Sequence, residues 1–272
     1  MNHTEKVAFE TDRFDGLANG EGLMLDRYTS PSPSRKAELD NFLAFAGLPS
    51  GQLDILDIGC GRGNYAIPLM QLGHRLTCVD VSINSLQIML DTVTELGLLN
   101  NLSEIFPGDF LSWAGGYKYD AIIGGAVIHH ICDCADSITT LFGKISGMLK
   151  DGGMVVMKEP NPVFPYRLYY LFTPSMNWQQ ESGIQYSTKK NIRKAARDSG
   201  LSDIRFRNTG LFPFADRSHL IFKINRWLDR SLLIELISQE FMFSATKTGG
   251  GVLNANREER TVSGLVRMFW ES

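Results

Sequence analysis

The sequence predicts an α/β fold, a seven-stranded and mostly parallel sheet covered by helices on both faces, and three observations lead there. An apolar run (Ile55, Leu56, Ile58) passes into glycines at alternate positions, Gly59, Gly61 and Gly63, and then into a segment that can be helical. That is a strand, a tight turn and a helix start. A second run, Arg75 to Val79, ends at Asp80, about 20 residues beyond the glycines, where a carboxylate can accept both hydroxyl protons of a ribose. From there to Lys247, short strand-like runs alternate with amphipathic helical ones, the pattern of repeated strand–helix–strand units.

Residues 1–49 precede the first strand. The Gly- and Pro-punctuated stretch from Gly16 to Pro33 is expected as loop or short helix. Ser34 is expected to cap a helix from Arg35 to Ala46, with Leu39, Phe42, Leu43 and Phe45 on its apolar side and Gly47 ending it. Behind the glycine turn a helix runs from about Asn64 to Leu72, where Pro68 fits only if the first turn starts near Tyr65. Ser82 caps the next, Ile83 to Leu96, whose Leu86, Met89, Leu90 and Val93 follow helical spacing.

A third strand, Leu102 to Phe106, leads to Pro107-Gly108-Asp109-Phe110, and a fourth, Tyr119 to Ile123, opens into Gly124 to His130. Then come a helix from Ser137 to Leu149, the turn Lys150 to Gly153, and a fifth strand, Met154 to Lys158. Two segments, 159–186 and 211–239, are longer than plain connections and read as insertions. The first, rich in proline and aromatics, forms a substrate wall. The second carries an amphipathic helix with Leu220, Ile224, Trp227 and Leu228, suited to covering the pocket, to a homodimer contact or to a membrane surface, cover being preferred. A helix after Ser187, a strand from Asp203 to Asn208 and an antiparallel seventh strand, Glu240 to Lys247, complete the sheet. Residues 1–49 thus form an N-terminal helical segment, 50–248 the main domain, and 249–272 a tail without assigned role.

A balance of 27 Lys and Arg against 30 Asp and Glu gives a net charge of −3, too even to imply a nucleic acid or anionic membrane as partner. No apolar run reaches the roughly 18 residues of a membrane span and the start lacks the apolar core of a secretory signal. A cytoplasmic protein is expected, and Cys60, Cys78, Cys132 and Cys134, in or beside core strands, suit a reducing compartment.

The glycine turn reads D-x-G-x-G-x-G from Asp57, not the G-x-G-x-x-G of a dinucleotide fold, and a carboxylate beside the turn favours an ammonium over a pyrophosphate. At these residues the chain resembles the class I S-adenosylmethionine (SAM) dependent methyltransferases, which have a Rossmann-like sheet. The resemblance implies SAM as cofactor, with its amino-acid end at Asp57, Gly59, Gly61, Gly63 and Asn64. It puts the ribose at Asp80 and Val81, the adenine at Asp109 and Phe110, and the transferred methyl near Gly125 and Ala126. It also implies a lid from the N-terminal segment, for which Phe14 and Tyr28 are the candidates.

Methyl transfer from a sulfonium is an in-line displacement that gains from alignment and water exclusion, and it needs a base only when the acceptor arrives protonated. His129 and His130 lie where such a base would be. The segment Ala126 to His129 resembles that of phosphobase methyltransferases, in which the His works with an N-terminal Tyr; His129 is therefore the expected base, with Tyr28 as partner. Glu159, Tyr166, Tyr169, Tyr170, Trp178 and Glu181 are the expected substrate-pocket residues, their aromatic character favouring a small or medium organic acceptor with a ring or apolar portion. The run His129 to Cys134 holds metal-ligating types without a second separated pair, so no metal is expected. The basic helix with Lys189, Lys190, Arg193, Lys194 and Arg197 reads as a solvated face rather than an RNA contact. Two rivals share the cofactor: cleavage of another sulfonium bond, giving methylthioadenosine, and SAM binding without catalysis.

Overall fold

The computed structural model describes residues 3–19, 22–164, 181–209 and 238–248. Seven strands form one sheet: β1 (Asp54–Ile58), β2 (Arg75–Asp80), β3 (Leu102–Pro107), β4 (Tyr119–Gly125), β5 (Leu149–Pro160), β6 (Leu201–Thr209) and β7 (Glu240–Lys247), in the order β3-β2-β1-β4-β5-β7-β6. Strands β1 to β5 are parallel, and β7 pairs antiparallel with both β5 and β6. Because β1 lies between β2 and β4, the strand order reverses beside it, which is where open α/β sheets bind ligands.

Burial on both faces explains the unbroken apolar run of β1. Ile55 joins a core with Phe42, Ile67 and Met89, while Leu56 and Ile58 join the opposite core with Phe142, Ile145 and Phe243. Helices α3 (Pro33–Ala46), α4 (Ala66–Gln71) and α5 (Ile83–Glu95) cover the first face, and α7 (Ala135–Met148) and α8 (Lys189–Asp198) the second. Between β4 and α7 lies one short turn of helix, α6 (Ile128–Ile131). Ser82 caps α5 by accepting from the Ser85 N–H at 3.1 Å, as expected.

Several boundaries differ from the sequence reading, each for a local reason. The cap of α3 is Ser32, not Ser34: Pro33 takes the first helical position, where its missing N–H costs nothing, and Ser32 accepts from the Arg35 N–H at 3.3 Å. Helix α4 begins at Ala66, so Pro68 falls within its first turn. The expected turn Lys150 to Gly153 is part of β5, which begins at Leu149 and meets β4 through a register shift. Ahead of Gly16 the sequence reading has no bounded element, yet α1 (His3–Ala18) runs there, followed by the short α2 (Leu25–Thr29). Only Lys6, Glu10 and Ala18 are buried on α1, so no apolar stripe announces it. Its far end docks on α5, where Asp15 Oδ1 accepts from Ser82 Oγ at 2.7 Å and from the Asn84 N–H at 3.0 Å.

Among the described residues no helix is long and apolar enough to cross a membrane. Tyr166, Tyr169, Tyr170, Trp178, the amphipathic segment around Trp227 and residues 249–272 lie outside the described residues.

Candidate active site

A cavity of about 260 Å³ lies over the carboxyl ends of β1, β2 and β4, with α1 across it. Gly59, Gly61, Asp80, Val81, Asp109, Phe110, Gly125 and Ala126 all line it, so eight of the expected cofactor residues converge on one space. At Gly59 (φ +66°) a Cβ would come within 2.5 Å of Val127, so any side chain there collides with the start of α6. Asp80 is fixed by its neighbours: Oδ2 accepts from the Gly61 N–H at 2.7 Å and Oδ1 from the Ser82 N–H at 2.8 Å. Each oxygen keeps acceptor capacity toward the cavity. Asp109 Oδ2 meets the Ser112 N–H at 2.9 Å and His3 Nε2 at 3.0 Å, so a ligand amino group would share this carboxylate with α1.

The other three expected cofactor residues sit behind this wall. Gly63 packs: a Cβ there would press on Ile67 and Met89 at 2.8 and 2.9 Å. Asn64 gives its carbonyl to the Arg35 guanidinium of α3. Asp57 is buried under the turn, its two oxygens without a hydrogen-bond partner among the described residues. Burial, and next the charge of Asp80, push its pKa well above the usual carboxylate range.

The catalytic pair expected from sequence does not form. Tyr28 is buried in the core beside α3 and donates its hydroxyl to the Arg62 carbonyl at 2.9 Å, outside the cavity lining, and burial pushes its pKa up to about 12. His129 is equally sequestered. Its Nδ1 meets Glu159 Oε2 at 2.8 Å and its Nε2 meets Glu181 Oε2 at 3.2 Å. Burial alone would lower its pKa, but the hydrogen bonds and charges of Glu159 and Glu181 prevail and raise it to about 9. At neutral pH His129 carries a proton already and has no free nitrogen, so it is a buried cation and not a base. Glu159, expected on the substrate wall, is fully buried; its Oε1 accepts from the Val127 and Ile128 N–H groups at 2.8 Å each and pins the start of α6.

Of the adjacent pair, it is His130 whose imidazole lines the cavity. Its Nδ1 lies 3.3 Å from Glu10 Oε1, and Phe14 stands edge-on to it with ring centroids 5.2 Å apart. Burial, and next the charge of His129, lower its pKa despite Glu10, so it is neutral at pH 7. His3, Lys6, Val7, Glu10 and Phe14 line this side together. Of these only Phe14 stands out in the sequence, yet the signal is present: positions 3, 6, 7, 10 and 14 repeat at helical spacing with mixed polarity.

Comparison with known proteins agrees with this geometry. The profile of the methyltransferase domain matches residues 32–205. The chain belongs to that family. It is similar to a ubiquinone biosynthesis O-methyltransferase of Chelativorans sp. (strain BNC1), 28% identical over 171 residues that cover 57% of this chain and 62% of that protein. The enzyme of the same name from Caulobacter vibrioides is 28% identical over 116 residues, 43% of this chain and 44% of that one. The chain thus spans about half of the length of the curated relatives it matches. Among solved structures, a phosphoethanolamine N-methyltransferase of Haemonchus contortus has a TM-score of 0.59 at 19% identity, covering 89% of this chain and 59% of that one. The magnesium protoporphyrin IX methyltransferase of Synechocystis, with bound SAM, has 0.55 at 17%, covering 89% and 97%. These likenesses establish the fold.

Proposed function

We propose that the protein transfers the methyl group of SAM to a hydroxyl oxygen of a small or medium organic acceptor. The observation that carries this is the convergence of Gly59, Gly61, Asp80, Val81, Asp109, Phe110, Gly125 and Ala126 on one cavity at the sheet's switch point. The choice of oxygen rests on the ubiquinone O-methyltransferases among its relatives. SAM supplies an electrophilic methyl on a sulfonium.

The chain's own residues do the rest. Asp80 takes the ribose hydroxyls, and Asp109 with Phe110 takes the adenine. Backbone freed of side chains at Gly59 and Gly61 takes the amino-acid end, the buried carboxylate of Asp57 lying behind it. Helix α1 acts as the lid, excluding water so that the nucleophile is held in line. Phe14 and His130 border the acceptor's end, and His130 is the group that meets its hydroxyl. Balanced charge favours a free small molecule over nucleic acid, and a cytoplasmic setting fits the four unpaired cysteines, Cys60, Cys78, Cys132 and Cys134.

The test is calorimetry with S-adenosylhomocysteine, followed by incubation with SAM and a panel of phenolic and aliphatic hydroxyl acceptors. Binding, with S-adenosylhomocysteine as the nucleoside product, is expected. Methylthioadenosine would mean that another sulfonium bond breaks; no binding and no product would remove the reading.

A further inference from the structure

Glu10, His129, His130, Glu159 and Glu181 come from four stretches of chain and meet at the back of the cavity. Gly183 makes this closeness achievable. It lies in the short helical turn Ser182–Gln185, and a Cβ there would overlap the His129 backbone carbonyl, so only glycine lets Glu181 come so near α6. Both imidazoles are held alike, with Nδ1 on a carboxylate: His129 on Glu159 at 2.8 Å and His130 on Glu10 at 3.3 Å. Both Nε2 atoms then point toward Glu181 Oε2, at 3.2 and 4.0 Å. The remaining oxygen of Glu181 is taken by Arg13.

We infer that His129, His130 and Glu181 form a binding site for a divalent transition-metal ion of the zinc type. Metal–ligand bonds of about 2.1 Å in tetrahedral arrangement put the ligand atoms about 3.4 Å apart, between the two separations seen, and all three atoms lie within 4.8 Å of one another. Every ligand also has an orienting partner on its other polar atom, the carboxylate–histidine arrangement that fixes tautomer and ring direction around metals. Charge agrees with geometry. Glu10, Glu159 and Glu181 bring three negative charges and Arg13 one positive; the ion displaces the proton that His129 holds in its absence, and with both imidazoles neutral, the form that ligates, two negative charges remain to balance it. Three protein ligands leave a fourth position open, the pattern of catalytic rather than structural zinc. The ligand His130 and its partner Glu10 line the cavity, which puts the cluster at its wall. The site deepens the reading of the previous section: with the ion in place, His130 meets the acceptor's oxygen through the metal.

The test uses the full chain, stripped with a chelator, dialysed and titrated with Co²⁺ or Zn²⁺ alone, with S-adenosylhomocysteine affinity measured on the same sample. One ion per chain is expected, with the strong visible absorption of tetrahedral Co²⁺. Affinity should fall at least tenfold in Glu10→Gln, which leaves all three ligands in place, and more in His130→Ala and Glu181→Gln. A folded protein that binds S-adenosylhomocysteine but takes up no metal would overturn the site and leave methyl transfer standing. Uptake unchanged in all three variants would also overturn it, and loss of nucleoside binding with metal uptake intact would instead count against SAM.

Discussion

The two ends of the cavity are built in different ways. At the end proposed for the cofactor, the tips of β1, β2, β3 and β4 supply backbone, glycines and the carboxylates of Asp80 and Asp109, all within a few residues of a strand end. At the acceptor end, α1, α6 and the turn Ser182–Gln185 supply side chains from positions as far apart as Glu10 and Glu181, joined by ion pairs. Adjacent residues mark the boundary. His129 is locked between two carboxylates and protonated, while His130 faces the cavity and is neutral. A strand tip can be reused for one cofactor; an assembled cluster is specific to what it must hold.

The largest expected effect breaks the acceptor end structurally. His129→Ala strands the buried carboxylates of Glu159 and Glu181, and losing one partner of a buried ion pair costs about 3–5 kcal/mol. The sign with pH follows from the raised pKa. A proton held more tightly in the folded state stabilises fully below about pH 6.5, and that stabilisation is lost as pH rises through about 9. Melting temperature against pH should therefore fall across that window in the metal-free wild type and flatten in metal-free His129→Gln; equal slopes would dissolve the contrast between the two histidines.

Asp80→Ala attacks the cofactor end alone. It removes the carboxylate proposed to accept from the two ribose hydroxyls and unpairs the Gly61 and Ser82 N–H groups. At about 1.5–3 kcal/mol per hydrogen bond to a charged group, affinity for S-adenosylhomocysteine should fall on the order of 100-fold or more. A change within a few-fold would mean that the ribose lies elsewhere.

His130→Ala should lower turnover about 100-fold with S-adenosylhomocysteine affinity intact, sharpening the division between the ends. In the wild type, activity should also fall on acidification as His130 takes up a proton, at a lower pH than for an ordinary imidazole because burial and then the charge of His129 depress its pKa. If His129→Gln at a permissive temperature loses turnover while His130→Ala keeps it, the roles are reversed.

This division also decides what the sequence discloses. The end proposed for the cofactor is a matter of local backbone: glycines at alternate positions and Asp80 at the next strand end point to it, and eight of the eleven residues expected there line one cavity. Asp57 escapes the lining because strand parity turns it into the core, Gly63 because it packs on Ile67 and Met89, and Asn64 because its carbonyl meets Arg35, none of which motif spacing records. The acceptor end depends on which of two consecutive residues faces inward, and a one-turn helix such as α6 has no period from which to read that. Helix α1 hides for a related reason: it buries Lys6 and Glu10 against a polar site, so a search for apolar stripes passes over it.

The smallest predicted effect bears on the partner assigned to His129 from sequence. Tyr28→Phe deletes one hydroxyl and leaves the Arg62 carbonyl without its donor, while the ring keeps its place in the core. The expected loss is about 1 kcal/mol, or roughly 2–4 °C in melting temperature for a chain of this size, with turnover within a few-fold. Because burial drives the Tyr28 pKa up to about 12, the phenol cannot exchange a proton near neutrality, which argues against a catalytic role even if the lid shifts. A hundredfold loss of turnover in Tyr28→Phe, with stability unchanged, would show that the working enzyme swings Tyr28 into the cavity and that the cofactor end reaches further into the chemistry than this division allows.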